Sequence, residues 1–397
     1  MRILIANLGS TSFKYRLYRV EGGTESVVAS GGYERVTDYA DVIRQALDAL
    51  VADGAVDEPS QIDAVGFKTV LGKDLSGCVD ADDSVIAALE GFAAVAPAHN
   101  PPYAEGIRQF QHLLPQARLI ALFETAFYQW VPEAATWYAV PKTWHDAGIR
   151  RYGFHGASHK FIAERSAELL GRDDVAKVAR GLYTDGPREV AGAPLRVISF
   201  HLGGSSSVTA IRNGVAIGTS MGFSPQSGLP QNNRVGDLDS GALPYALKTF
   251  GITLDEAERV LTKESGLLGV SGVSNDLRDV RAAADDGNAD AQRAIELLVH
   301  SARQWASSFL FDLGGLDALV FTAGIGEHNA WLRDAICRGL EGFGVEIDPK
   351  RNADCRGGEA VVSSDASKVR VLVIPANEEL VLVREVQRKV AGCATCK

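Results

Sequence analysis

Short apolar runs and longer amphipathic stretches alternate along this chain, and the alternation restarts half-way. The run Val197-Ile198-Ser199-Phe200-His201-Leu202 meets Gly203-Gly204-Ser205-Ser206-Ser207-Val208 and continues to Arg212, where Asn213-Gly214 closes it. β-Branched and aromatic positions predict two strands, and the glycines allow a sharp turn between them. The N-terminus repeats the pattern. Ile3-Leu4-Ile5-Ala6-Asn7-Leu8-Gly9-Ser10-Thr11-Ser12 is followed by Phe13-Lys14-Tyr15-Arg16-Leu17-Tyr18. Asn7 to Ser12 aligns with His201 to Ser206. A repeat at about half the chain length predicts two similar domains rather than a solenoid.

The remaining pattern is of strands alternating with helices, which predicts an α/β fold. Helical periodicity covers 40–51, 83–92, a stretch from about 103, 160–171, 289–311 and a final helix to about 390. Strand-like runs cover 64–72, 118–123, 318–322 and 369–374. The second of these delivers Glu124 at its carboxyl end and the last leads into Pro375-Ala376-Asn377-Glu378-Glu379. In open α/β sheets that end faces the ligand crevice. Residues 132–144 are turn-rich and mark the candidate domain boundary. The stretch 219–239 lacks apolar periodicity, and a loop of that length in a compact domain is usually functional.

Composition narrows the classes. A chain of 397 residues with 46% hydrophobic content supports more than one core. A net charge of -10 argues against a nucleic-acid partner, and no apolar run approaches a membrane span. No leader-like segment precedes Ile3, and the five cysteines are scattered, which fits a reducing, cytoplasmic setting. Cys393 and Cys396 form a lone CxxC near the C-terminus, read as a tail rather than a metal or redox site.

Three small-residue turns stand at strand ends, around Gly9, Gly203 and Gly324. Such turns bare backbone N–H groups to phosphate oxygens. Neither a Walker lysine pattern nor the dinucleotide fingerprint is present. Glu124 and Glu378 are candidate carboxylates for Mg²⁺, which takes one or two carboxylates plus phosphate oxygens and water. Arg234, in a Gly- and Asn-rich loop, could clamp a transferring phosphoryl group; the plainer reading pairs it with Asp237 on the surface. His155 and His159 are spaced like a metal pair without a third ligand, so a phosphoryl-stabilising role for His155 is the better reading.

In this order and spacing the motifs resemble those of the acetate kinases, short-chain carboxylate kinases of the actin-like and sugar-kinase superfamily. The resemblance runs nearly end to end. It rests on Asn7 to Lys14, Ala98-His99-Asn100-Pro101-Pro102, Phe123-Glu124-Thr125-Ala126-Phe127, Arg151 to His159, His201-Leu202-Gly203, Thr219 to Phe223, Arg234-Val235-Gly236-Asp237, Gly324-Ile325-Gly326-Glu327 and Asn377-Glu378-Glu379. It implies a duplicated actin-like ATPase fold, with 1–149 plus 381–397 as one domain and 150–380 as the other around a nucleotide cleft. It also implies a homodimer and reversible, Mg²⁺-dependent phosphoryl transfer between ATP and a short-chain carboxylate such as acetate or propionate.

Carried over by position, the resemblance gives Asn7 and Glu378 to Mg²⁺. It gives Lys14, His201, Leu202, Gly203, Gly204 and Ser205 to ATP phosphates, and Asp276, Leu277, Arg278, Gly324, Ile325, Gly326, Glu327 and His328 to the adenosine end. His155 and Arg234 would stabilise the transition state, Glu124 would hold the catalytic acid position, and Lys68 would face the substrate carboxylate. The chain departs from the family pattern at Phe67-Lys68 for His-Arg, Glu124 for Asp, Gly204-Ser205 for Asn-Gly, Asn232-Asn233 for Gly-Thr, His328 for Asn and Ala98 for Leu. A lysine cannot make the arginine fork, and Ala98 implies a roomier acyl pocket. Rival readings are a pyrophosphate donor, a longer acyl substrate, or a nucleotide-binding protein that has lost catalysis.

Overall fold

A computed structural model describes residues 1–394; Cys396 of the C-terminal CxxC lies outside the described residues. The first sheet contains β1 (Arg2–Leu8), β2 (Ser12–Glu21), β3 (Thr24–Glu34), β4 (Ala64–Thr69), β5 (Cys78–Asp80) and β6 (Arg118–Phe123). The second contains β7 (Arg196–Leu202), β8 (Ser206–Arg212), β9 (Val215–Thr219), β10 (Ala318–Thr322), β11 (Ala360–Val361) and β12 (Arg370–Val373). Their orders are β3-β2-β1-β4-β6-β5 and β11-β12-β10-β7-β8-β9. Read from the β9 edge, the second order repeats the first strand for strand. In each, an antiparallel meander leads into two parallel strands and a short antiparallel edge. The expected duplicated α/β architecture is therefore present.

The two hairpins that revealed the repeat differ in one detail. Leu8 pairs with Phe13 in the first and Leu202 with Ser206 in the second, so the first turn is one residue longer. Both turns are closed by a backbone bond, Gly9 N–H to Ser12 O at 2.8 Å and Gly203 N–H to Ser205 O at 3.2 Å.

Two helices change sides. Helix Gly156–Leu169 follows the strands of the first sheet, yet buries Ile162, Ala163 and Ala167 with Val197, Ile211 and Val320 of the second. Helix Glu378–Ala394 follows the second sheet, yet buries Leu382, Val383 and Val386 with Ile5 and Ile120 of the first. The two helices touch, and Lys160 Nζ lies 2.8 Å from Glu385 Oε1 with both side chains almost wholly buried. Gly66 lets the second helix approach. A Cβ there would stand 2.9 Å from Ile5 Cδ1 and 3.0 Å from Val386 Cγ2. The far face of the second sheet packs Ile198, Phe200 and Phe321 under helix Ala289–Leu313, which Asn288 caps at its start and Gly314 ends in the left-handed region.

Strands β3 and β9 and helix Asp173–Asp185 carried no expectation. β3 is an edge strand with no fully buried position, so its sequence shows no apolar alternation. The stretch 220–241 contains no helix or strand, as its composition predicted.

Candidate active site

The strand ends of both sheets converge on one charged cluster. Lys68, near the end of β4, places Nζ 2.9 Å from Glu124 Oε1, just beyond β6, and also contacts the carboxylate of Glu378, the first residue of the C-terminal helix. One ammonium is thus shared by two carboxylates brought together from the two ends of the chain. Burial alone would lower the lysine pKa, but Glu124 and Glu378 more than reverse it, so Lys68 stays charged. Glu124 is pushed up, chiefly by burial and by the neighbouring Glu378, against the pull of Lys68. Glu378 stays low: Lys68 and His201 outweigh its burial. Glu124 Oε2 is buried without a hydrogen-bond partner, and such an atom calls for an explanation.

Glu124 also joins the halves through its backbone. Its N–H donates to Thr69 O at 2.8 Å, and its carbonyl accepts from Gly156 N–H at 2.9 Å. A Cβ at position 156 would collide with that carbonyl. His155, the residue before, takes a left-handed φ of 61° at the helix start. Non-glycine residues in that region carry about 1–3 kcal/mol of strain and concentrate at functional sites. Ala323, where β10 enters the glycine-rich helix Ala323–His328, does the same with φ 63°.

His155 stacks on His201 with ring centroids 4.0 Å apart. Behind them lies a polar layer between sheet and helix. His155 Nδ1 and His159 Nε2 each lie 2.8 Å from Ser207 Oγ, His159 Nδ1 lies 2.9 Å from Ser199 Oγ, and His201 Nδ1 lies 2.8 Å from Ser158 Oγ. The register explains the layer: His201 is directly opposite Ser207 and Ser199 opposite Thr209, so the four share the face turned to the helix. Burial lowers all three histidines, His201 to about 4 and the other two well below 6.5, so they are neutral at pH 7. His155 is further lowered by His201, His159, Lys68 and Arg234. The i, i+4 histidine pair is therefore bridged by a serine hydroxyl, not poised around a metal.

Arg234 leaves the 220–241 loop and reaches Ser205 Oγ at 3.2 Å, Pro225 O at 3.4 Å and Gln231 Oε1 at 3.4 Å. Asp237, its plainer expected partner, instead accepts from Gly228 N–H at 2.9 Å and Trp305 Nε1–H at 3.1 Å. Among the described residues Arg234 makes no ion pair, and burial lowers its pKa. A half-buried guanidinium with neutral partners is free to meet an anion.

The Gly203 and Gly324 turns lie against each other. The Cα of Gly203 faces Ala323, and Gly326 faces Leu202. Arg333, wholly buried, donates to the carbonyls of Gly326 and Glu327 at 2.8 Å and so holds the helix in place. Glu327 accepts from Ala376 N–H at 2.9 Å, tying the same helix to the segment before Glu378. Asn7, half-buried at the end of β1, lies beside β4, and its side chain makes no hydrogen bond among the described residues. Asn7 offers an amide oxygen and Glu378 a carboxylate, oxygens of the kind a hard divalent cation takes.

Other expected residues stand apart. Lys14 pairs with Glu34 at 3.3 Å, both side chains about two-thirds exposed. Asp276 caps helix Leu277–Asp285 and pairs with the exposed Arg278 at 2.5 Å, while Leu277 is buried in the core. His328 ends its helix against Gly357. Gly204, Ile325 and Gly324 complete the two turns without side-chain hydrogen bonds. Ser199, Ser207 and Arg333 were not anticipated. The alternation Ser199/His201 and Ser207/Thr209 in otherwise apolar strands was the signal for the first two; nothing in the local pattern marked Arg333.

The description "Acetokinase family" fits residues 32–384. This chain belongs to that family. The acetate kinase of Geobacillus kaustophilus is 38% identical to it over 98% of each chain, and that of Bacillus subtilis 36% over 98% of this chain and 99% of its own. The acetate kinase structure from Porphyromonas gingivalis superposes with a TM-score of 0.85 at 33% identity, covering 96% of this chain and 98% of that one. A propionate kinase from Francisella tularensis gives 0.83 at 32% identity, covering 97% and 98%. The acetokinase assignment makes the chain a phosphotransferase with a carboxyl acceptor, and its fold is that of the acetate kinase structures. Among the described residues no helix is long and apolar enough to cross a membrane.

Proposed function

We propose that the chain transfers the γ-phosphoryl group of ATP to a short-chain carboxylate, acetate or propionate, giving ADP and the acyl phosphate, reversibly. The observation that carries this is the convergence of Lys68, Glu124, Glu378, His155 and Arg234 beside the Gly203–Ser205 turn. A substrate carboxylate oxygen attacks the γ-phosphorus as the bond to the ADP oxygen breaks; the attacking group arrives ionised, so no general base is needed. Lys68 orients the carboxylate. Glu124 holds Lys68 and, with its raised pKa, occupies the acid position. Arg234 and His155 neutralise charge on the equatorial oxygens, the main demand of phosphoryl transfer. Asn7 and Glu378 would hold Mg²⁺, which shields the phosphate oxygens when bound. Lys14 and the Gly203–Ser205 turn would hold phosphates, and Asp276–Arg278 with Gly324–His328 the adenosine end.

The cleft lies between one domain of 1–149 plus 381–397 and another of 150–380, and its closure would exclude water. The five most exposed large apolar side chains among the described residues, Phe311, Phe250, Tyr245, Phe343 and Leu254, all lie in the second half. A second copy of the chain would cover such a surface. The acyl end has an apolar cluster to meet: Leu71, Tyr152, Phe154 and Met221, with Val70 and Phe223 beside them. Ala98 is exposed, and its small side chain would leave room for propionate.

A hydroxamate-trapping assay with ATP and Mg²⁺ on formate, acetate, propionate and butyrate tests the reading. Acyl phosphate with an optimum at two or three carbons is expected. No product from any acid, with ATP binding intact by calorimetry, overturns it; product with pyrophosphate alone replaces the donor.

A further inference from the structure

The three hydrogen bonds behind His155 have a direction that the structure determines. Ser199, His159 and Ser207 are wholly buried, and His155 is the half-exposed end of the chain Ser199–His159–Ser207–His155. Burial keeps both imidazoles neutral, so each carries a single proton. Among the described residues neither Ser199 Oγ nor Ser207 Oγ has a hydrogen-bond partner outside the chain. A buried hydroxyl proton left without an acceptor is costly.

The arrangements can be counted. With the His155 proton on Nδ1, Ser207 accepts it and gives its own proton to His159 Nε2. His159 then gives its Nδ1 proton to Ser199, and the Ser199 proton points at nothing. With both histidines donating to Ser207, the Ser207 proton is stranded instead. One order leaves none stranded: Ser199 donates to His159 Nδ1, His159 Nε2–H donates to Ser207, and Ser207 donates to His155 Nδ1. The His155 proton then sits on Nε2, the nitrogen the chain leaves free.

We infer that Ser199, His159 and Ser207 are positioning residues that hold His155 in its Nε2–H tautomer, so that a neutral imidazole meets the phosphoryl group as a hydrogen-bond donor. The role rests on the phosphotransferase reading above and deepens it: the donor needs no added proton at neutral pH, and its direction is set about two residues' packing away, in the strand interior. The wrong tautomer would turn a lone pair toward phosphate oxygens and repel them.

Long-range proton–nitrogen correlation spectra of the ¹⁵N-histidine-labelled full chain read the tautomer directly, with His155 assigned by its loss in His155→Gln. The Nε2–H form is expected. In Ser207→Ala the donor to His155 Nδ1 is gone, both tautomers become populated, and kcat falls about two- to fivefold with KM for ATP and carboxylate unchanged, in proportion to the competent fraction. Ser207→Thr returns the hydroxyl and recovers the single tautomer. A wild-type His155 in the Nδ1–H form overturns the inference whatever the activity, as does a Ser207→Ala protein with an unchanged tautomer and kcat. An Nε2–H His155 in a protein that phosphorylates no carboxylate would instead overturn the proposed function and leave the hydrogen-bond order standing.

Discussion

The two halves share a strand order but not the layer between sheet and helix. Under helix Glu378–Ala394 the first sheet presents Ile5 and Ile120, level with Gly66, to Leu382, Val383 and Val386, an apolar contact close enough to require Gly66. Under the start of helix Gly156–Leu169 the second sheet presents Ser199, His201, Ser207 and Thr209 to His155, Ser158 and His159. A buried Leu or Val contributes about 1.5–3 kcal/mol, whereas a satisfied buried polar pair contributes about 1 kcal/mol and is costly if broken. One copy of the duplicated fold is thus spent on cohesion and the other on arranging hydrogen-bond donors. Duplication lets the same topology be optimised for two different demands.

The largest effect is expected where the halves join. Lys160→Met leaves Glu385 buried with only Arg388, at 2.5 Å, as its partner, and should cost about 3–5 kcal/mol in urea unfolding, towards the lower end because of Arg388. The double variant Lys160→Met, Glu385→Leu should recover most of it; a double variant as unstable as the single one would mean that packing, not charge, fails. Next comes chemistry without stability. Arg234→Ala should lower kcat about 10²–10³-fold, the usual cost of one donor to a developing charge, with an unchanged melting temperature, because no ion pair is lost.

Stability without chemistry is the converse. Gly66→Ala overpacks the apolar layer and should cost about 1–3 kcal/mol, with kcat per folded molecule retained when assayed well below the midpoint. A large loss of kcat at full folding would show that the first half's packing sets the site after all. The smallest effect is a slope. The polar layer holds His201 at about 4 and His155 and His159 well below 6.5. The unfolded chain therefore binds protons first, and stability present above about pH 6.5 is lost as pH falls towards 4, by at most about 1.4 kcal/mol per pH unit for each histidine. His201→Gln should remove one such share from urea midpoints taken between pH 6.5 and 5. The first half has a counterpart in His99, whose pKa burial also lowers, with Arg234 and Lys68 adding to it.

Much of this was readable in the residues. The Asn7 and His201 turns announced the duplication because strands with apolar faces and glycine turns leave a strong local pattern. Glu124 and Glu378 were found because carboxylates after apolar runs are conspicuous. The shared ammonium of Lys68 was not, because a contact between positions 68 and 378 is made by the exchange of helices, which no local pattern encodes. Ser199 and Ser207 read as ordinary strand residues until their register set them opposite Thr209 and His201. Arg333 had no mark in the local pattern and is buried under the glycine turn it supports. Arg234 lost its expected partner because Asp237 turned to Trp305 and the loop backbone.

The exchanged helices also bear on how the chain is born. The first sheet ends with β6 at Phe123, but the helix that covers it begins at Glu378. At roughly 5–20 residues per second of synthesis, about 12 to 50 s pass on the ribosome before that cover emerges. Throughout that interval Ile5 and Ile120 lack the helix that later buries them, and a helix made after the whole second sheet closes the first sheet to be made.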